Sequence, residues 1–137
     1  MEPRGIRNNN PLNIRHGSKW QGLRPEQTDK CFCQFVSMEY GLRAAFRLLR
    51  NYISGWGGTR KPCKNIHDIV SRWAPESENN TRAYIDFVCK HTQIDAFQTI
   101  SFSDRKTMIA IVDAMAQVEC GRQLDFNLIS SAYDLAR

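Results

Sequence analysis

The chain has 137 residues, a formal net charge of +5 and a pI near 9.1. That is one domain's length, enough to bury a core without metal or disulfide staples. With 42% apolar and 24% charged residues, and no apolar run near the ~18–20 residues of a bilayer-spanning helix, the composition excludes global disorder, collagen-like repeats and helical membrane insertion. The basic excess favours anionic partners such as nucleic acid, anionic lipid or cell-wall polymer, without choosing among them.

The opening Met1-Glu2-Pro3-Arg4-Gly5-Ile6-Arg7 lacks the apolar stretch of a secretory leader. The expected localisation is synthesis in the cytoplasm without a signal peptide, with action in the periplasm or on the cell wall only after export, injection or lysis. Residues 4–36 are rich in Asn, Gly and Pro, whereas residues 37–137 carry helical periodicity. This contrast predicts one domain of two lobes, a small β/loop lobe (4–36) and a helical lobe (37–137). In the first lobe, Asn8-Asn9-Asn10-Pro11 is a turn cluster. Leu12–Arg15 and Cys31–Val36 read as short strands of a small hairpin or sheet.

Ser37 is a good N-cap for a helix with Leu42, Ala45, Phe46, Leu49 and Ile53 on one face and Arg43, Arg47 and Arg50 on the other, ending near Ser54-Gly55. Asn65 caps a short helix bearing Ile66, Ile69, Val70 and Trp73, stopped before Pro75. Ser77 is expected to open the next, with a stripe of Tyr84, Phe87, Val88 and His91. Ser103 is expected to cap a helix whose stripe is Met108, Ile111, Val112 and Met115, with Gly121 as a left-handed terminator. Asp125 opens a last helix containing Phe126, Ile129 and Leu135. The fold class expected is mainly α, with a small β-hairpin lobe and a cleft between the lobes.

Five cysteines (31, 33, 63, 89 and 120) and three histidines show no metal-ligand spacing, so no metal and no cofactor is expected. The thiols read as buried structural groups, or as one disulfide formed after export, with no pairing assigned.

Glu119 is the misplaced residue. It stands four positions after Met115 and seven after Val112, and so continues the buried stripe. It also lies in the last turn of its helix, where the negative end of the macrodipole disfavours its ionised form. Partial burial acts in the same direction. A carboxyl kept protonated near neutral pH is what a general acid requires. The competing reading is an end-of-stripe Glu that bends out to water.

Several segments resemble the lysozyme superfamily of peptidoglycan glycosidases, in particular its lytic transglycosylases and glucosaminidases. The helix end Ala114-Met115-Ala116-Gln117-Val118-Glu119-Cys120-Gly121-Arg122 is similar to their acidic helix terminus. Asn9-Asn10-Pro11-Leu12-Asn13-Ile14-Arg15 with Trp20-Gln21-Gly22 resembles their Asn-Asn segment. Phe32–Ser37 with Gly41-Leu42-Arg43-Ala44 resembles the passage into the following helix, and Trp73-Ala74-Pro75 with Asn79-Asn80-Thr81 and Tyr84-Ile85 the later helix pair. The opening is also similar to that of small phage virion-associated lysins. The order departs from the family, because here the acidic helix follows the Asn-Asn segment instead of preceding it. A circular permutation accounts for this, since joining the ends restores the usual order.

The resemblance implies cleavage of β-1,4 glycosidic bonds in peptidoglycan, as a muramidase or a lytic transglycosylase, with Glu119 as catalytic general acid. Glu26 and Asp29 are candidates for a second carboxylate, with Glu39 behind them; each also reads as a solvated acid. Asn9, Asn10, Asn13, Ser37, Asn80 and Tyr84 are candidate substrate-binding residues, and Trp20, Trp56 and Trp73 candidate sugar-stacking ones. The implied partners are peptidoglycan glycan strands and, for an injected antibacterial toxin as opposed to a phage lysin, a cognate immunity protein. Nucleic acid and membrane insertion are not expected, and the chain is expected to be a monomer. The alternatives are a noncatalytic peptidoglycan-binding or virion structural protein, and a basic nucleic-acid-binding domain, for which no helix-turn-helix, zinc or RNA-binding motif is found.

Overall fold

A computed structural model describes residues 2–137. Six helices follow in order: α1 (Arg4–Arg7), α2 (Met38–Gly58), α3 (Ile66–Trp73), α4 (Thr81–Thr92), α5 (Arg105–Cys120) and α6 (Phe126–Ala136). The periodic stripes form one core. Phe46, Leu42 and Leu49 of α2 are fully buried, together with Ile111, Val112 and Met115 of α5 and Ile129 of α6. The edge of Phe46 meets Tyr133 with ring centroids 5.4 Å apart, tying α2 to α6. No helix is long and apolar enough to cross a membrane among the described residues.

Capping explains most helix boundaries. Ser37 accepts a hydrogen bond from the Tyr40 N–H, Asn65 from Asp68 and Asp125 from Asn127. Gly121 terminates α5 in the left-handed region at φ 70°. Helical geometry in α2 gives way at Gly55, Trp56 and Gly57, all left-handed, close to the break expected at Ser54-Gly55. Two starts differ from expectation. α4 is capped by Asn80, which accepts from Ala83, and not by Ser77, because residues after Pro75 first fold into a turn closed on the Pro75 carbonyl. α5 is capped by Asp104, whose carboxylate accepts from both the N–H and the hydroxyl of Thr107, and not by Ser103. On α4, Tyr84 and Val88 are buried while Phe87 and His91 lie at the surface.

The expected β-hairpin lobe is not present. Among the described residues there is no strand, only isolated antiparallel bridges between Arg15 and Phe32 and between Leu23 and Phe35. A few backbone pairs, such as Cys33 N–H to the Ile14 carbonyl and Val36 N–H to the Gly22 carbonyl, are filled out by side chains where a ladder would continue. The fully buried Asn10 amide donates to the carbonyls of Ile14 and Cys33 and accepts from the Ile14 N–H, all at 2.9 Å. Gln34 Oε1 accepts from the N–H groups of Thr28 and Asp29. Gln27 joins the carbonyls of Arg24 and Gln34 and accepts from the Gln34 N–H. Each such bond satisfies a backbone group that a sheet would otherwise pair.

This loop lobe is pressed against the helical lobe. A Cβ on Gly41 would lie 1.8 Å from the Asn9 carbonyl oxygen, so only glycine permits the contact between α2 and the loop. α1 packs on α5, where Gly5 approaches Cys120.

Candidate active site

Glu119 sits in the last turn of α5, half-buried, facing the loop lobe. Asn13 Nδ2 donates to its carboxylate Oε1 at 3.3 Å and to its backbone carbonyl at 3.2 Å. The Tyr84 hydroxyl, from α4, donates to Oε2 at 3.1 Å. Burial pushes the Glu119 carboxyl above the ordinary carboxylate range. The donors Asn13, Tyr84 and Trp73, and the charge of Arg15, act against that rise without cancelling it. Burial beside the carboxylate also raises Tyr84, so its phenol stays protonated and remains a donor.

Two cavities lie beside the residues that brace the carboxyl, and Glu119 itself lines neither. The first, about 240 Å³, runs between the loop lobe and the helices, with Asn13, Arg15 and Trp20 on one wall and Leu48, Tyr52 and Trp73 on the other. The second, about 390 Å³, lies against α4 and is lined by Asn79, Asn80, Tyr84, Phe87 and Val118. Asn13 of the first cavity holds one carboxylate oxygen and Tyr84 of the second holds the other. Glu119 is thus braced by one lining residue from each hollow.

The other sequence-selected residues divide clearly. Asn13, Asn80, Tyr84, Trp20 and Trp73 border the cavities. The Asn9 side chain donates to the Phe35 carbonyl and Asn10 is consumed by the loop's backbone, so both shape the lobe instead of lining the hollows. Ser37 serves as a helix cap. Trp56, at φ 53°, packs on Tyr52 and under the Arg60 guanidinium, behind the first cavity's wall. Asp29 accepts from Arg4 through both carboxylate oxygens (2.7 and 2.6 Å), from Asn8, and from the N–H groups of Cys31 and Phe32. Its Arg4 partner holds its carboxyl far below the usual range. Glu26 is exposed and borders neither cavity. The five cysteines are free thiols, with Cys33, Cys63 and Cys120 buried.

Sequence reasoning misses Arg15, Leu48 and Tyr52 as cleft residues. A signal exists for the last two: they are spaced i, i+4 on a flank of α2 outside its core stripe, a second apolar face that a one-sided helix does not need.

These features define a helical protein with a side-chain-braced loop lobe and a half-buried acid clamped by Asn13 and Tyr84. No protein-family profile matches the chain. It is 39% identical over 122 residues to Protein P5 of Pseudoalteromonas phage PM2, an alignment covering 86% of this chain and 71% of that protein. The chain belongs to the family of that phage protein.

Proposed function

We propose that the protein is a peptidoglycan glycosidase in which Glu119 is the general acid, a circularly permuted relative of the lysozyme superfamily. The observation that carries this reading is the half-buried Glu119 carboxyl, raised by burial and held by Asn13 and Tyr84, each of which lines a hollow. The first hollow has the indoles of Trp20 and Trp73 on its walls, surfaces on which sugar rings stack.

Neither candidate for a second carboxylate is suited to act beside Glu119. Asp29 is locked as an anion by Arg4 and backbone donors, and Glu26, like the more remote candidate Glu39, lines neither hollow. This favours the single-acid reaction, a lytic transglycosylation. Glu119 gives its proton to the leaving glycosidic oxygen as the C1–O bond breaks and oxocarbenium character develops. The sugar's own 6-hydroxyl then bonds to C1 and returns its proton to the Glu119 carboxylate. The ring closes as a 1,6-anhydro sugar and no water is consumed.

Membership in a phage protein family supports a lysin of phage origin over an injected toxin, so action on the wall would follow virion entry or host lysis. An immunity protein belongs only to the toxin reading. The test is mass spectrometry of products from purified peptidoglycan. Anhydro-muramyl ends are expected, reducing ends would mark a hydrolase, and cleavage surviving in Glu119→Gln would remove this mechanism. Binding of the polymer with no products at all would leave a noncatalytic wall-binding or virion structural role.

A further inference from the structure

Most of the arginines have an identifiable counterpart. Arg4, Arg105, Arg122 and Arg137 meet carboxylates, while Arg7, Arg24 and Arg72 donate to backbone carbonyls. Of the rest, Arg15 and Arg60 lie over the Phe32 and Trp56 rings, Arg82 stands alone on α4, and Arg43, Arg47 and Arg50 are the three that share one helix. They lie at i, i+4 and i+7 on one face, so about 6 Å and 10.5 Å along the helix axis from the first. Among the described residues none of the three forms an ion pair. Even Glu39, one turn before Arg43, stays out of bonding reach. The Nε atoms of Arg43 and Arg47 are buried with no acceptor. Arg50 is exposed, its guanidinium 5.8 Å above the centre of the Phe102 ring.

This arrangement is costly. A buried donor without a partner loses its hydration and gains nothing in return. Neighbouring like charges on one helix face repel, and Arg47 is accordingly lowered by burial and by the charges of Arg43 and Arg50. An oxyanion gripped by the outer nitrogens of several guanidinium groups relieves the repulsion between them.

We propose that Arg43, Arg47 and Arg50 form a binding ridge for a soluble, multiply charged phosphate-bearing ligand, separate from the cleft. Leu48 and Tyr52, the α2 residues that line the cleft, lie about 100–180° around the helix from the ridge. None of the exposed large apolar side chains, Val36, Phe87, Phe97, Val118, Phe126 and Leu135, belongs to α2, so the helix that carries the ridge supplies no apolar wedge of its own for a bilayer. The ligand is therefore a dissolved phosphate compound or chain and not a lipid surface. This site is independent of the glycosidase reading.

The test titrates the full chain with sodium pyrophosphate, and separately with a short oligothymidylate, against sodium chloride at matched ionic strength. Arginine Nε–Hε NMR signals and the melting temperature are followed. The expected result is a saturable shift of the Arg43 and Arg47 signals, and a rise in melting temperature that chloride does not give. Affinity should fall about tenfold or more in Arg47→Gln and further in the Arg43→Gln/Arg47→Gln pair, while Arg122→Gln, which removes an equal charge elsewhere, leaves it unchanged. A response to either phosphate probe supports the ridge, and comparing the two tells whether the phosphates arrive singly or on a chain. A response that chloride reproduces, equal affinity in the double variant, or binding to anionic phospholipid vesicles alone would overturn it. The wild-type signals carry the test even if a variant folds poorly.

Discussion

Asn13 offers the sharpest test of how Glu119 is tuned. Its amide supports the ionised carboxylate at 3.3 Å and also the Glu119 backbone carbonyl at 3.2 Å, one of the helix-end carbonyls that α5 cannot satisfy internally. Asn13 is left-handed, with φ 55°. Replacement by alanine would therefore mix loss of the amide with about 1 kcal/mol of backbone strain. Asn13→Gly removes the amide and keeps the backbone free of that strain. A hydrogen bond to a charged group contributes about 1.5–3 kcal/mol. At 3.3 Å and half-buried, this one belongs at or below the low end, about 1 kcal/mol, and 1.36 kcal/mol corresponds to one pH unit. The Glu119 carboxyl should then titrate about half to one pH unit higher in Asn13→Gly. Since the acid must carry its proton, the alkaline limb of activity moves up by the same amount while the plateau falls, because the carboxyl is less firmly aimed. Carboxyl carbon NMR titration reads the first effect without needing turnover, and a pH profile of peptidoglycan cleavage reads both. A limb that stays in place or moves to lower pH would refute the assignment of Asn13 as a support of the ionised form.

Glu119→Gln should lower cleavage by about 10²–10⁴-fold, the range of a general acid. It should also stabilise the fold at alkaline pH. A carboxyl whose folded pKa is raised disfavours its own ionisation in the native state, so wild type loses stability as pH rises above the unfolded value, whereas the amide does not; denaturant melts at two pH values check this. Asp29→Asn should act in the opposite sense. The depressed Asp29 carboxyl adds stability above its unfolded pKa that is lost in acid, so the deficit of the variant should shrink as pH falls below about 4. Asn10→Ala orphans the Ile14 N–H and the Cys33 carbonyl in a site with no exposure, the Ile14 carbonyl keeping the Cys33 N–H, and should cost about 2–4 kcal/mol by urea unfolding. Gly41→Ala should be at least as damaging, since its methyl group and the Asn9 oxygen cannot occupy the same space.

The helices are legible because each carries its own punctuation. The stripes of α2 and α5, the caps Asn65 and Asp125 and the stop at Gly121 are local signals, readable within one turn. The same periodicity places Glu119 on an inward face. The loop lobe is illegible for a physical reason. The apolar residues Leu12, Ile14, Cys33 and Phe35 alternate as strand residues do and are buried, but only scattered backbone pairs such as Cys33 N–H to the Ile14 carbonyl join them, and the Asn10, Asn9 and Arg24 side chains take up the Ile14 N–H and the Cys33 and Phe35 carbonyls. Alternation reports which residues are buried, and says nothing of whether a ladder or an amide satisfies the backbone between them. The clamp on Glu119 is hidden by distance, for Asn13 lies 106 positions away and Tyr84 35. What selects Asn at position 13 is the conjunction of a left-handed backbone with two acceptors on another element, and of the residues that tolerate φ 55° only Asn brings a donor of that length. Aspartate at this position could share the backbone but would set a second negative charge against Glu119. That change should raise the carboxyl further than Asn13→Gly does, and the difference between the two variants isolates charge repulsion from the lost hydrogen bond.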